Sequence, residues 1–467
     1  MFGNIALLSW PVVVAVLLNK KTVPAAIMGA IIAGYLLLPE QIAFDVPLLP
    51  PLEKNTIPAI SLFLLLLLGA GQKNPRALQG WLPRGLVSKS LLLLLLAGAF
   101  LTTMTNSDAV MSGPVHLPGL SPYDAFSTVL GLLMALLPFF LARKFLAYPE
   151  YNKALIGAFV VAGLAYSLLA MYEIRMSPQL SRMVYGFFPH SWSQHVRGSG
   201  FRPIVFLQHG LWVSIFFTCT VLAAAGLARM APKGQKIKYY AFGAWLLLTL
   251  VLTKSLGAFI IAVVLLPCVF FLRPRLQIIL CAAVAVIVMT YPALRVSDLI
   301  PVDQVVDQVE EISSERAGSL QFRLDNEDLL LDRARERPVF GWSGWSRSAI
   351  FDDRGVKSST PDGYWVIIMG LGGWVRYIAE FGLLCAPIMI SAFRTRRYRL
   401  GFETSVLILM LTANLIDLIP NATVTPLTWM LAGAVWGRLE LGALKDVEAD
   451  APDETEEKRK SPYTRFA

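Results

Sequence analysis

RLDNEDLLLDRARERPVFGWSGWSR (residues 323–347) and VIIMGLGGWVRYIAEFGLL (residues 366–384) decide how this chain is read. The first segment is dense in charge, and the second returns to residues that lipid tolerates. Pro361-Asp362-Gly363-Tyr364-Trp365 marks the point of re-entry between them. Non-helical, charged chain is not left exposed to hydrocarbon, so the pair reads as a water-facing excursion that goes back into a bilayer. Segments of this kind usually carry the chemistry of the protein they belong to.

Working outward, the remaining sequence has the composition such an excursion requires. Of 467 residues, 55% are hydrophobic and only 16% charged, which excludes an ordinary soluble globule and indicates an integral membrane protein. The N-terminus MFGNIALLSWPVVVAVLLNKK has no basic leader region and no small-residue cleavage site, so it reads as a first span and not as a cleaved signal. Cys219, Cys268, Cys281 and Cys385 lie in apolar runs without Cys-x-x-Cys spacing, the pattern of packing residues. The net charge of +9 is explained by basic loops at a membrane face, so nucleic acid is not implied as a partner.

A crossing helix needs about 20 largely apolar residues. Thirteen such windows can be drawn: 3–19, 22–38, 57–71, 88–105, 123–142, 153–173, 203–228, 238–253, 255–272, 276–294, 364–393, 402–420 and 423–443. The expected fold is an all-α polytopic membrane protein of about 12–13 transmembrane helices with one large loop. Residues 1–294 form a bundle of about ten spans, 295–362 the loop with an amphipathic helix, 363–443 the C-terminal spans, and 444–467 a disordered, charged tail. Lys and Arg cluster in alternate loops, which puts those loops and the C-terminus in the cytoplasm and the N-terminus outside. Residues 295–362 then face the periplasm, and their nine basic against fourteen acidic residues suit a translocated segment.

One outside loop breaks that charge rule. Arg175, Arg182, Arg197 and Arg202 follow Glu173 with no further carboxylate, interleaved with His190, His195 and the aromatic residues Tyr185, Phe187, Phe188, Trp192 and Phe201. A guanidinium fork matches phosphate oxygens, which makes a pyrophosphate headgroup the natural ligand. The competing reading is an interfacial loop whose arginines meet lipid phosphates without specificity. In residues 319–336, Leu320, Leu324 and Leu331 recur at helical spacing until Pro338. A continuous helix there would put Arg323 and Arg337, close to four turns apart, near one face.

Arg323, the turn Pro338-Val339-Phe340-Gly341-Trp342 and the later Glu380-Phe381-Gly382-Leu383-Leu384 resemble the signature of the O-antigen ligase and O-antigen polymerase superfamily. Arg197-Gly198-Ser199-Gly200-Phe201-Arg202 is similar to that family's entry to its central helix, and Thr253-Lys254-Ser255-Leu256-Gly257-Ala258 to its Ser-Arg turn, with Leu256 in the arginine's place and Lys254 nearby. The ligases carry a His-Asn pair where this chain has Asp362-Gly363, which favours the polymerase branch. The resemblance implies an inner-membrane glycosyltransferase that polymerises undecaprenyl pyrophosphate-linked repeats on the periplasmic face, for exopolysaccharide, capsule or O-antigen. It implies the lipid-linked glycan and the bilayer as partners, with chain-length or export proteins as further candidates, and no cofactor. A ligase, or a flippase for the same lipid, is the alternative.

On this reading Arg197, Arg202, Arg323, Arg337 and Lys254 hold the pyrophosphate. Asp362 or His209 deprotonates or orients the acceptor hydroxyl, because inverting transfer needs a base at the acceptor and cations at the leaving group. Each has a structural competitor. Asp362 can be the N-cap of the re-entering helix, His209, about two turns inside its span, a packing residue, and Lys254 a snorkelling lysine. Arg376 and Glu380 are spaced to pair, and Asn414 and Asp417 are polar positions inside a span. No His or Cys spacing indicates a dedicated metal site, and no Walker-type loop indicates nucleotide hydrolysis.

Overall fold

In a computed structural model of the protein, residues 2–46, 49–71, 76–197, 200–297, 306–308, 310–311 and 314–450 are described. Helices α1 (Phe2–Lys20), α2 (Val23–Leu37), α3 (Ile57–Leu67) and α4 (Leu86–Met104) come first. They are followed by α5 (Pro122–Ala135), α6 (Leu137–Phe145), α7 (Pro149–Met176) and the short α8 (Leu180–Tyr185). Then come α9 (Gly210–Met230), α10 (Lys236–Leu252), α11 (Leu256–Phe271) and α12 (Pro274–Val296). The last helices among the described residues are α13 (Ser314–Arg335), α14 (Tyr364–Arg394), α15 (Phe402–Asp417) and α16 (Pro426–Asp450). Three two-stranded antiparallel hairpins lie in the connections: β1 (Ala43–Phe44) with β2 (Leu52–Glu53), β3 (Val110–Ser112) with β4 (Val115–Leu117), and β5 (Val196–Arg197) with β6 (Gly200–Phe201).

The protein is therefore an all-α, multi-pass membrane protein. Each of the thirteen apolar windows contains a helix; window 203–228 becomes helical only at Gly210, and window 123–142 is divided between α5 and α6 at Leu136, just before Pro138. Seven of the segments are both long and apolar enough to cross a membrane, while α2, α3 and α11 are apolar but shorter. The last helix continues to Asp450, so the tail begins later than residue 444, and its acidic and basic run at 453–460 lies outside the described residues.

α9 is the axis of the bundle. Nearly all of it is buried, and it packs against α7, α10, α11 and α15. A helix apolar on every side belongs inside a bundle rather than against lipid. Its few polar side chains bond locally or across helices: Thr218 Oγ1 donates to the Ala258 carbonyl at 3.0 Å and Ser214 Oγ to Thr253 Oγ1 at 2.9 Å. At the other end of the protein from the α9 N-terminus, Gly433 and Gly437 let α16 lie directly on the carbonyls of Phe139 and Arg143 in α6. The buried Arg143 guanidinium pairs there with Glu440 at 2.5 Å.

α14 is broken. Gly373 has φ 59° and ψ −160°, outside helical space, and the gap is filled by the turn Pro338–Trp342. Trp374 N–H donates to the Pro338 carbonyl at 2.8 Å, Trp342 N–H to that of Gly370 at 2.8 Å, and Ser343 N–H to that of Leu371 at 2.9 Å. A Cβ on Gly373 would stand 2.4 Å from the Pro338 oxygen, so only glycine fits. The Pro-x-x-Gly turn thus latches the water-facing segment onto the membrane helix. Downstream, Glu380 accepts from Arg376 Nε at 3.1 Å and from the Tyr364 hydroxyl, the pairing that the i, i+4 spacing predicts.

Candidate functional site

Two helix N-termini, those of α9 and α14, meet the C-terminal end of α15 and are overhung by the first turns of α13. Between them lies a cavity of about 480 Å³, bordered by Arg202, His209, Arg323 and Asp362 among others. That size is ordinary for a small-ligand pocket. Four of the residues singled out in the sequence, more than 150 positions apart at the extremes, are thus brought to one place.

Arg202 and His209 are held by Glu173, near the end of α7. Its buried carboxylate accepts the N–H groups of Leu180 at 2.8 Å, Ile204 at 2.8 Å and Val205 at 2.7 Å. Pro203 has no N–H to offer, and Val205 adopts φ 54°, so the chain between β6 and α9 cannot continue as helix. This corrects one expectation. His209 is not two turns inside a helix; it is the N-cap of α9, where its Nδ1 accepts the Leu211 N–H at 3.1 Å. Gly210 has no side chain because the Arg202 methylenes fill that space, within 2.4 Å of a would-be Cβ. Arg202 is itself mostly buried and donates to the Lys254 carbonyl at 3.2 Å. Lys254, with φ 55°, links α10 to α11 and sets its ammonium against Gly200 of the hairpin, beside the cavity but not on its wall.

Arg323 reaches the cavity through the register of α13. Asn326, Glu327, Leu330, Leu331 and Ala334 form its buried stripe, and Arg323 and Ser319 continue that stripe one and two turns earlier, over the opening. Two hydrogen bonds fix the helix to the re-entry point. Asn326 Oδ1 accepts the Thr360 N–H at 2.8 Å, and Glu327 Oε1 accepts from Trp365 Nε1 at 3.0 Å. Arg323 Nε then lies 3.5 Å from Asp362 Oδ2.

The N-cap of α14 is Gly363 and no side chain caps it, which corrects the reading of Asp362 as a cap. Gly363 is required because a Cβ there would fall 2.5 Å from the Ile419 carbonyl oxygen. Asp362 is left free to turn toward the cavity. Burial raises its carboxyl above the ordinary range, and Arg323 partly opposes that shift.

The floor is built by Asp417 at the end of α15. Its buried carboxylate accepts from Asn421 Nδ2 at 2.9 Å and Thr423 Oγ1 at 2.6 Å, and both of these residues line the cavity. Asn414, one turn earlier, bonds within the core to Cys219 and Thr428 instead.

Three expectations are placed elsewhere. α13 stops at Arg335, so Arg337 leaves its face. It donates to the Thr105 carbonyl at 2.8 Å, to Asn106 at 2.9 Å and to Asp108 at 2.7 Å, and lies on the Trp342 ring. It holds the connection after α4 and does not line the cavity, and its hydrogen bond holds the Asp108 carboxyl below its usual range. Arg175 and Arg182 are also absent from the lining, and the Arg197 side chain lies outside the described residues. The loop's aromatic residues pack against one another and the bundle: Tyr185 stacks on Phe187, its hydroxyl donates to the Leu37 carbonyl, and Trp192 faces Phe201.

The structure also assembles a group that residue spacing did not reveal. His190, His195 and His209, three of the four histidines in the chain, come together with potential ligand atoms all within 4.8 Å of one another. Five and fourteen residues separate them in sequence, spacings with no helical or strand periodicity. Their crowding into one twenty-residue stretch was the only available signal. The chain matches no known protein-family model and no curated protein.

Proposed function

We propose that this protein is a membrane glycosyltransferase that polymerises undecaprenyl pyrophosphate-linked oligosaccharide repeats at this cavity, on the periplasmic side of a bacterial inner membrane. The observation that carries the reading is the joint presence of Arg202, Arg323, Asp362 and His209 on one cavity wall. Cations and a carboxylate at one mouth are what a glycosyl transfer from a diphosphate leaving group needs. The resemblance of the Arg323, Pro338–Trp342 and Glu380–Leu384 segments to O-antigen polymerases and ligases supports the same class.

The chemistry follows from the positions. Arg202 and Arg323 bind the diphosphate, helped by the positive ends of α9 and α14. The acceptor hydroxyl attacks the anomeric carbon, the carbon–oxygen bond to the diphosphate breaks, and undecaprenyl pyrophosphate departs with the electron pair. Asp362 takes the hydroxyl proton, and its raised affinity for a proton improves it as a base while Arg323 keeps it ionised. Asn421 and Thr423, oriented by Asp417, offer sugar hydroxyls their hydrogen-bonding groups from the floor.

Charge reversal tests this in cells. Arg202→Glu or Arg323→Glu should abolish polymer and leave lipid-linked single repeats. Full-length polymer from both variants would remove the diphosphate site from the account.

A further inference from the structure

None of the three histidines takes part in the proposed transfer step, and their arrangement points to a ligand of another kind. His190 and His209 border the cavity, and His195 is fully buried behind them. Their rings are mutually inclined, with centroids 4.9 Å apart for His190 and His209, 5.0 Å for His195 and His209, and 5.7 Å for His190 and His195. Each comes from a different local structure: the loop after α8, the 3₁₀ turn Trp192–His195, and the N-cap of α9. Nδ1 of His190 is buried without a hydrogen-bond partner among the described residues, which is uncommon for a polar atom in that setting.

We infer that His190, His195 and His209 form a three-imidazole site for a divalent transition-metal ion of the zinc class, with its fourth position open to the cavity. Nitrogen ligands of this kind suit zinc and its neighbours, and three protein ligands plus one exchangeable position is the arrangement of a working rather than a structural site. Nitrogens about 2.0–2.1 Å from a tetrahedral ion stand roughly 3.3 Å from each other. Closing from the present separation of up to 4.8 Å takes rotation of imidazoles about their side-chain torsions. A neutral imidazole that ligates through Nε2 carries its proton on Nδ1, so His209 gives up the Leu211 N–H bond when it binds. One hydrogen bond is exchanged for a metal–nitrogen bond.

Resting on the proposed reaction, the open position would take a phosphate oxygen of the donor lipid, in the cavity that Arg323 also lines. The ion would add positive charge where the departing diphosphate gains negative charge.

The test is direct metal measurement on full-length protein purified with a histidine-free tag in nanodiscs. After chelator treatment, Zn²⁺ titration followed by elemental analysis should give one ion per chain. Co²⁺ should give the visible absorption of a four-coordinate nitrogen site. His190→Ala and His195→Ala should each weaken Zn²⁺ binding at least about 100-fold, while His116→Ala, at an exposed histidine of another hairpin, should not change it. His190→Ala alters a half-buried rim residue, so its loss of binding with an unchanged melting temperature separates ligation from misfolding. No stoichiometric Zn²⁺, or equal binding by the His190→Ala and wild-type proteins, overturns the site. Polymerisation that continues without metal overturns this inference alone, and one bound ion without any glycosyl transfer overturns the transferase reading alone.

Discussion

Arg323 Nε lies 3.5 Å from Asp362 Oδ2, joining the helix that overhangs the cavity to the residue at which the chain re-enters the bundle. Both groups remain about one-third exposed, so the pair contributes little to stability and leaves both charges available to a ligand. Replacing Asp362 by Asn should lower the transfer rate by about 10²–10⁴-fold with little change in melting temperature. Arg323→Ala should cost about 10²–10³-fold, and Arg323→Lys less, since it keeps the charge and loses the fork. Steady-state rates and thermal scans of the same preparations check this.

The pH profile gives a second handle on the pair. Burial raises the Asp362 carboxyl, so the acidic limb of kcat/KM should lie above the ordinary aspartate value of about 3.9. Arg323 pulls in the opposite direction. Removing that cation with Arg323→Gln should therefore move the limb to higher pH in whatever activity remains. A limb that stays in place would remove Asp362 as the titrating base.

Glu327 makes docking of α13 sensitive to pH. Burial pushes its carboxyl up to about 7, with the Trp365 hydrogen bond opposing. A carboxyl with a raised value binds its proton more tightly in the folded state. Its contribution is therefore most favourable below about 4.5 and is lost as pH rises through about 7. The loss is at most about 3 kcal/mol at one pKa unit per 1.36 kcal/mol. Glu327→Gln keeps an acceptor for Trp365 and should flatten the fall in melting temperature between pH 5 and pH 8 (roughly the interval in which the group ionises).

Glu173 supports the site from behind. Glu173→Ala leaves the N–H groups of Leu180, Ile204 and Val205 without their acceptor, at about 1–3 kcal/mol for each buried one. A fall in melting temperature should come with a loss of donor binding as large as that of Arg202→Ala, because Arg202 and His209 sit on the segment Glu173 holds. Normal donor binding in a destabilised Glu173→Ala protein would separate the two.

Much of this was legible in the sequence because membrane helices announce themselves by length and polarity. Each of the thirteen windows contains a helix, Arg202 stood out as a cation on the translocated side, Asp362 as the carboxylate at the re-entry point, and Arg323 through the family resemblance. What could not be read was backbone geometry. The start of α9 is set by Glu173 bonding to chain thirty residues on, so His209 looked buried in a span when it caps one. Arg337 looked equivalent to Arg323 until the helix ended at Arg335 and the turn at Pro338 sent it to Asp108. The meeting of His190, His195 and His209 depends on a loop and a 3₁₀ turn, which have no sequence period to detect.

The most direct measurement uses purified protein in liposomes with undecaprenyl pyrophosphate-linked oligosaccharide and an Asp362→Asn control. A ladder of polymer lengths is expected from the wild-type protein, and its loss in the control, with the lipid still bound. Absence of any ladder, together with movement of the labelled lipid from one leaflet to the other, would contradict the transferase reading and make the cavity part of a transport path.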